Sequence, residues 1–508
     1  MYGLILVGAG IRLIGLGAKS FWVDEIHSLS VSQTLEDIIW YCRGGHTPPL
    51  RYLLVWALQH TPNPEFTVRL PALLFGTLSI ALVLWLGEML RDWRTGVVAA
   101  ILLLLSPWHL DHSQDARYYA VILFLALAAL GLTIRILERP KPLWRWILLA
   151  IVCALNFYLS YVAIFSVAAM IGYLAWCAWK AWQQPQEHTQ AKMLLRGGIV
   201  AALVGLLILS PWLSEMIGLV GRYVREAPDS GLISRASASS TPVPVQPPIA
   251  WETRYDWAYA NDLLAKLGLE QPVVKWALLA FFVIGLIGTI RRKSSVGVLT
   301  GLWFILPWAV ILTTTGLRLF CPPRYLIHYL GLYLLLAAAG ILIVWDRLYI
   351  TFALPASVRA GPIRQTVFHA VTATIALLAF LSYAREDIRY LRSEKQDWRS
   401  VVRFLDQNAL PSEAVLAGGY WTPLGLFCYE SELSKPTHLI DKCVSTRRIE
   451  RELALYPRVW YVTWGPVRGD VAALLAGRFE LIREFPGMKG IIQVYRAKSK
   501  SDVSGVGW

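Results

Sequence analysis

The chain has 508 residues, 56% hydrophobic and only 16% charged, with a mean hydropathy of +0.49. Soluble domains carry about 25% charged residues, so this composition excludes a water-soluble globular protein and makes lipid the solvent. The 48 Lys and Arg exceed the 34 Asp and Glu, leaving a net charge of +14, and the position of that charge decides whether it serves nucleic acid or the membrane.

Stretches apolar enough to cross a bilayer recur near 1–17, 66–87, 96–110, 118–136, 143–160, 161–181, 197–217, 272–290, 296–315, 325–345 and 365–384. About 20 residues suffice for a span, which predicts a polytopic α-helical membrane protein with about eleven transmembrane helices. No leader with a cleavage site is visible, so the first stretch, short for a span, is expected to remain as a helix. With the N-terminus inside, the inner connections hold 15 Lys and Arg, and the outer ones hold 11 in about twice the length. Basic residues are enriched inside, as the positive-inside rule requires. The charge is spent on topology, and no basic face with interleaved aromatics is left for nucleic acid. This reading makes the N-terminus cytoplasmic and 385–508 extracytoplasmic.

The outer segments, in chain order, hold the unusual chemistry. The stretch FWVDEIHSLS (21–30) sets Asp24 beside Glu25 just after the first apolar run. Acidic residues suit the first turn of a helix, where they cap it. They could equally form a catalytic base or metal ligand, two adjacent carboxylates repelling so that one is readied to take a proton. GHTPPLRYLL (45–54) places His46 before a Pro-Pro turn, as a loop residue or a ligand. SPWHLDHSQDARYYA (106–120) packs Asp111, His112, Asp115, Arg117, Tyr118 and Tyr119 into one short connection, which is more polar than turning the chain requires. Loop 221–271 contains a Ser/Pro-rich run that reads as a lid or a linker. In GLRLFCPPRYLIHY (316–329), Arg324 and Tyr325 begin a span, as interfacial anchors or as ligands.

The tail changes character. QDWRSVVRFLDQN is amphipathic, EAVLAGG, PTHLID and RVWYVTWG read as short buried strands, GDVAALLAGRF as a helix and FELIREFPGMKGIIQVYR as a hairpin. The domains are therefore expected to be 1–384, a membrane catalytic domain with outer loops 18–65, 106–117, 221–271 and 316–324, and 385–508, a small extracytoplasmic α/β domain. Cys428 and Cys443 could form a bridge on the outer, oxidising side, and no cysteine spacing resembles a zinc site. GAGIRLIG (8–15) mimics a dinucleotide loop, but it lies in an apolar run with no strand before it. Close helix packing by Gly8, Gly10 and Gly15 is the expectation there.

Carboxylates from two loops and arginines from two are thus expected on one face. That inventory suits group transfer from an anionic lipid to a hydroxyl: a carboxylate takes the hydroxyl proton, and guanidinium groups hold the departing phosphate. The order WVDE, HTPPLRYLL, RLPALLFGTLSI, SPWHLDHSQDARYYA and PPRYL resembles the bacterial GT-C membrane glycosyltransferases. The closer likeness is to family 39, the relatives of protein O-mannosyltransferases and aminoarabinose transferases, over most of 20–135 and the 320s. The resemblance implies transfer of a sugar from a polyprenyl phosphate to a lipid, glycan or protein acceptor, with inversion, at the outer face of the bacterial inner membrane. It implies Asp24 as the base, Glu25 as its neighbour, Asp115 as the second-loop acid, and Arg117, Arg324 and Tyr325 at the donor phosphate. His46 and Tyr118 would meet substrate or a metal. Many relatives carry a Tyr-Thr-His-like step where 158–161 read Tyr-Leu-Ser-Tyr. A divalent cation is left open, with Asp24, Glu25, His46 and Asp115 as candidate ligands. A lipid-linked oligosaccharide ligase and a lipid flippase are the alternatives, the flippase lacking the mid-membrane charges expected of it.

Overall fold

The computed structural model describes residues 2–44, 47–218, 257–292, 297–305, 322–353, 361–419, 421–434, 438–440, 445–465, 467 and 469–498. The chain divides into two compact units. Met1–Ile14, Ile38–Leu53 and Arg69–Asp387 form the first, and Gly15–Asp37, Leu54–Val68 and Ile388–Trp508 form the second.

Among the described residues, seven helices are long and apolar enough to cross a membrane: Pro64–Leu90, Tyr119–Glu138, Ala163–Trp182, Pro185–Gly218, Pro272–Arg292, Pro323–Thr351 and Gln365–Arg392. Trp93–Leu104 and Pro107–Ser113 pass the same test together but are bent by 67°, and Tyr2–Leu13 and Leu143–Leu159 are shorter apolar helices. These elements fall on ten of the expected stretches. The remaining one, 296–315, is helical over 297–305, and the rest of it lies outside the described residues. Helices answer the lipid problem because each satisfies its own backbone groups.

Hydropathy does not decide which spans lie inside. Pro323–Thr351 and Pro185–Gly218 share a hydropathy of 2.2, yet 83% of the first window is buried and 11% of the second. Lipid tails are as apolar as leucine, so close approach of small residues decides instead. The inner span reads LYLLLAAAGIL, and Gly340 meets Gly285 of the Pro272–Arg292 helix. A Cβ on Gly285 would fall 1.8 Å from the Leu336 carbonyl oxygen, and one on Gly340 the same distance from that of Phe281. Gly285→Ala should therefore destabilise the fold by about 1–3 kcal/mol as the helices part, seen as a lower unfolding midpoint in detergent.

The first-helix glycines behave differently from one another. A Cβ on Gly8 would meet Ile80 Cδ1 at 2.4 Å, so Gly8 is a packing glycine as expected. Gly10 has nothing within 4 Å, and Gly15 serves a turn at φ +70°. Of loop 221–271 only 257–271 is described, including the Trp257–Leu267 helix, so the lid reading lies outside the described residues.

The second unit contains a five-stranded mixed sheet in the order β2-β1-β3-β5-β4. Its strands are β1 Ala414–Gly418, β2 His438–Ile440, β3 Val459–Trp464, β4 Phe479–Gly487 and β5 Gly490–Ala497. β1 lies parallel to β2 and β3, while β5 runs antiparallel to β3 and β4. The continuous burial of β1 and β3 is what a centre covered on both faces requires. Ile449, Val471 and Leu475 pack on Leu416, Val459 and Tyr461 from helices Thr446–Leu455 and Gly469–Arg478. Every strand and helix expected in the tail is present. Cys428 is a free thiol, pushed up to about 12 by burial and then by Glu65, while Cys443 lies outside the described residues.

Candidate active site

In the first unit, Ser106 caps the Pro107–Ser113 helix by accepting from His109 N at 3.3 Å, and Pro107 fixes its first turn. The break after Trp93–Leu104 bends the chain into this short helix, whose six residues Trp108–Ser113 are all buried. Gly76 makes room for it, since a Cβ there would meet Ser113 Oγ at 2.3 Å. Asp115 then accepts from Arg117 N at 3.0 Å, an Asx turn, and stands 3.8 Å from His112 Nδ1. Tyr118 has φ 57°, the only positive φ of a non-glycine among the described residues. A bulky residue there costs roughly 1–2 kcal/mol, a strain that clusters at functional sites. It redirects the chain into the Tyr119–Glu138 span.

That turn faces aromatic and basic company. Tyr119 lies 6.2 Å from Tyr325 between ring centroids and 4.8 Å from His112. Arg324 stands 5.9 Å from the Tyr325 ring centre. Arg117, Arg324 and Arg51 all act electrostatically on the Tyr325 phenol. Arg51 also stacks 4.5 Å over the Tyr52 ring, and it acts with Arg117 on Tyr41. Burial first, then Tyr52, pushes the Tyr41 hydroxyl upward, so it stays protonated as a donor. The structure thus gathers Asp115, Arg117, Tyr118, Arg324 and Tyr325 in one unit. It adds Arg51 and Tyr41, which sequence reasoning passed over, although Arg51 stands inside HTPPLRYLL.

Arg12 ties the first helix to this loop. Fully buried, it donates to Ser113 Oγ at 3.2 Å, Gly8 O at 3.0 Å and His109 Nδ1 at 2.8 Å. A guanidinium only donates, so His109 accepts through Nδ1 and carries its proton on Nε2. Gln114 Nε2 reaches back to the carbonyls of Arg12 at 2.9 Å and Ile14 at 2.8 Å. Asp387, also buried, acts electrostatically on Arg12. Arg12→Leu should cost about 1–3 kcal/mol, because the buried Ser113, Gly8 and His109 acceptors lose their donor; thermal unfolding in detergent measures it, with Arg12→Lys falling between.

In the second unit, Asp24 and Glu25 sit in the first turn of helix Val23–Val31. Asp24 is half-buried and Glu25 fully buried. Glu25 Oε2 accepts from Trp22 N at 3.3 Å, so it serves as a cap, and Asp24 is the more accessible carboxylate. His46 lies outside the described residues. Among the described residues no group of three or more His, Cys, Asp or Glu converges to hold a metal ion.

The family model described as dolichyl-phosphate-mannose-protein mannosyltransferase matches residues 46–214. No curated protein matches the chain by sequence. Among solved structures, apo ArnT from Cupriavidus metallidurans is similar at TM-score 0.55 and 12% identity, over 100% of this chain and 98% of that one. The same protein bound to undecaprenyl phosphate is similar at TM-score 0.52 and 12% identity, over 98% of each. AglB, the archaeal oligosaccharyltransferase of Archaeoglobus fulgidus, in complex with an inhibitory peptide and a dolichol-phosphate, is similar at TM-score 0.53 and 13% identity, covering 91% of this chain and 69% of its own. This multi-pass membrane chain therefore shares the fold of ArnT and AglB, and its residues 46–214 match the dolichyl-phosphate-mannose-protein mannosyltransferase family model.

Proposed function

We propose that the protein transfers a sugar from a polyprenyl-phosphate donor to an acceptor hydroxyl, at the outer face of the bacterial inner membrane. The N-terminus would be cytoplasmic, and the membrane domain 1–384 and the tail domain 385–508 would carry the chemistry. The observation that supports this most is the clustering of Arg51, Arg117 and Arg324 around Tyr325, beside the strained Tyr118. Three guanidinium groups with phenolic neighbours suit a phosphate that gains charge as the glycosidic bond breaks. The undecaprenyl phosphate of the ArnT complex and the dolichol-phosphate of the AglB complex point to the same donor class.

In this reading the Asp24 carboxylate removes the acceptor hydroxyl proton as its oxygen attacks the anomeric carbon. The electrons of the breaking bond leave on the phosphate, and attack opposite the leaving group inverts the configuration. Glu25 holds the turn that presents Asp24. Asp115 fixes the turn that carries Arg117, and Tyr118 sets the exit of that loop. His46 would meet substrate.

The test uses purified protein in nanodiscs with a panel of polyprenyl-phosphate sugars and hydroxyl acceptors, products read by mass. Addition of one sugar residue supports the reading. Transfer of a whole oligosaccharide, the chemistry named for AglB, favours a ligase, and lipid translocation without any glycosidic product would sink both.

A further inference from the structure

The sequence left the tail domain without a role, and the second unit contains a feature that supplies one. Four successive backbone N–H groups lead into Asp24, and each is accepted by a side chain. Ser20 N donates to Glu394 Oε2 at 3.2 Å, Phe21 N to Tyr429 Oη at 2.7 Å, Trp22 N to Glu25 Oε2 at 3.3 Å, and Val23 N to Gln396 Oε1 at 2.8 Å. Three of the acceptors lie 373–408 positions away in the chain. An extended segment would ordinarily pair its amides with backbone or water. Here side chains take that place, three of them from the tail domain.

The acceptors are themselves fixed. Gln396 is fully buried, and its Oε1 also accepts from Trp398 Nε1 at 2.9 Å. The backbone beside it is clamped by the turn between β4 and β5, where Met488 N donates to Glu394 O at 2.9 Å and Lys489 N to Lys395 O at 3.0 Å. A Cβ on Gly487 would fall 2.5 Å from Lys395 O, so the turn and this segment are in close contact. Tyr429 Oη accepts from Phe21 N and donates to Glu65 Oε1 at 3.2 Å, and Glu65 is paired with Arg399. Lys19 Nζ donates to Tyr390 O at 2.8 Å and lies 3.9 Å over that ring.

We propose that the tail domain is a positioning platform for the Asp24 carboxylate, with Gln396 and Tyr429 as its positioning residues. This rests on the reading of Asp24 as the base. A base must be held within fractions of an ångström of its proton, and misplacement by about 1 Å can cost 100-fold. The tail supplies hydrogen-bond acceptors for the turn FWVDE.

The test compares full-length Gln396→Leu, Gln396→Glu, Tyr429→Phe and Asp24→Asn in nanodiscs. Transfer kinetics are measured along with amide exchange at Phe21 and Val23. Gln396→Leu and Tyr429→Phe should lower kcat on the order of 10- to 100-fold, with KM for the donor within about 2-fold. Exchange should quicken roughly 10-fold at Val23 and Phe21 respectively. Gln396→Glu keeps an oxygen acceptor and should restore protection and most of kcat. Tyr429→Phe keeps the side-chain volume, so its outcome stands even if a Gln396 variant folds poorly. Unchanged kcat, or unchanged exchange at the two amides, overturns the platform. If Asp24→Asn stays active the base reading fails instead, and exchange alone then judges whether the tail holds the turn.

Discussion

Asp24→Asn should lower sugar transfer by about 10²- to 10⁴-fold, the usual worth of a positioned general base, and leave folding intact. The amide matches the carboxylate in shape but cannot take a proton. Its neighbour gives the control. Glu25 is fully buried and its Oε2 accepts from Trp22 N. Glu25→Gln keeps an oxygen for that bond, so it should preserve the turn and most of the activity, whereas Glu25→Ala should lose both. Wild-type turnover in Asp24→Asn would remove the base from the mechanism. A dead Glu25→Gln beside an active Asp24→Asn would move the role one residue along.

The second large effect is expected at Arg117. Replacing it with alanine should cut kcat/KM for the donor by about 10²- to 10³-fold, the range for losing one preorganised donor to developing negative charge. Arg117→Lys should recover only part, because an ammonium cannot contact two phosphate oxygens from a planar fork. Asp115 separates charge from geometry at the same turn. Asp115→Asn keeps an oxygen for Arg117 N and should be milder than Asp115→Ala, which releases the turn. Direct binding of a polyprenyl phosphate to each variant measures the anion site without requiring turnover. Equal affinity in wild type and Arg117→Ala would contradict the assignment.

Much of the architecture is legible in the sequence. Long apolar runs can satisfy their backbone in lipid only as helices, so ten expected spans coincide with apolar helices, and the eleventh is helical where it is described. Short runs rich in β-branched and aromatic residues, such as RVWYVTWG and the FELIREFPGMKGIIQVYR hairpin, appear as β3 and as β4–β5, because strand-forming residues bounded by turn residues are local signals. The loop motif around Asp115, Arg117 and Tyr118 was visible for a different reason, since charge and aromatic density between two spans has no packing use.

Other features depend on partners far along the chain. Arg12 sits in an apolar run with no mark of function, and its meaning comes from His109 and Ser113, about 100 positions on. Arg51 reads as an ordinary helix-start residue until Tyr325 stands near it. The glycines of GAGIRLIG look alike in sequence, yet one packs, one faces open space and one turns, since only neighbours in space determine what a missing Cβ allows. The sequence by itself determined the solvent, the spans, the tail elements and the two polar loops, because these follow from periodicity and composition. Only the tertiary structure decided that the turn bearing Asp24 belongs with the tail, because its amides are accepted by Glu394, Gln396 and Tyr429, side chains that no local pattern ties to it.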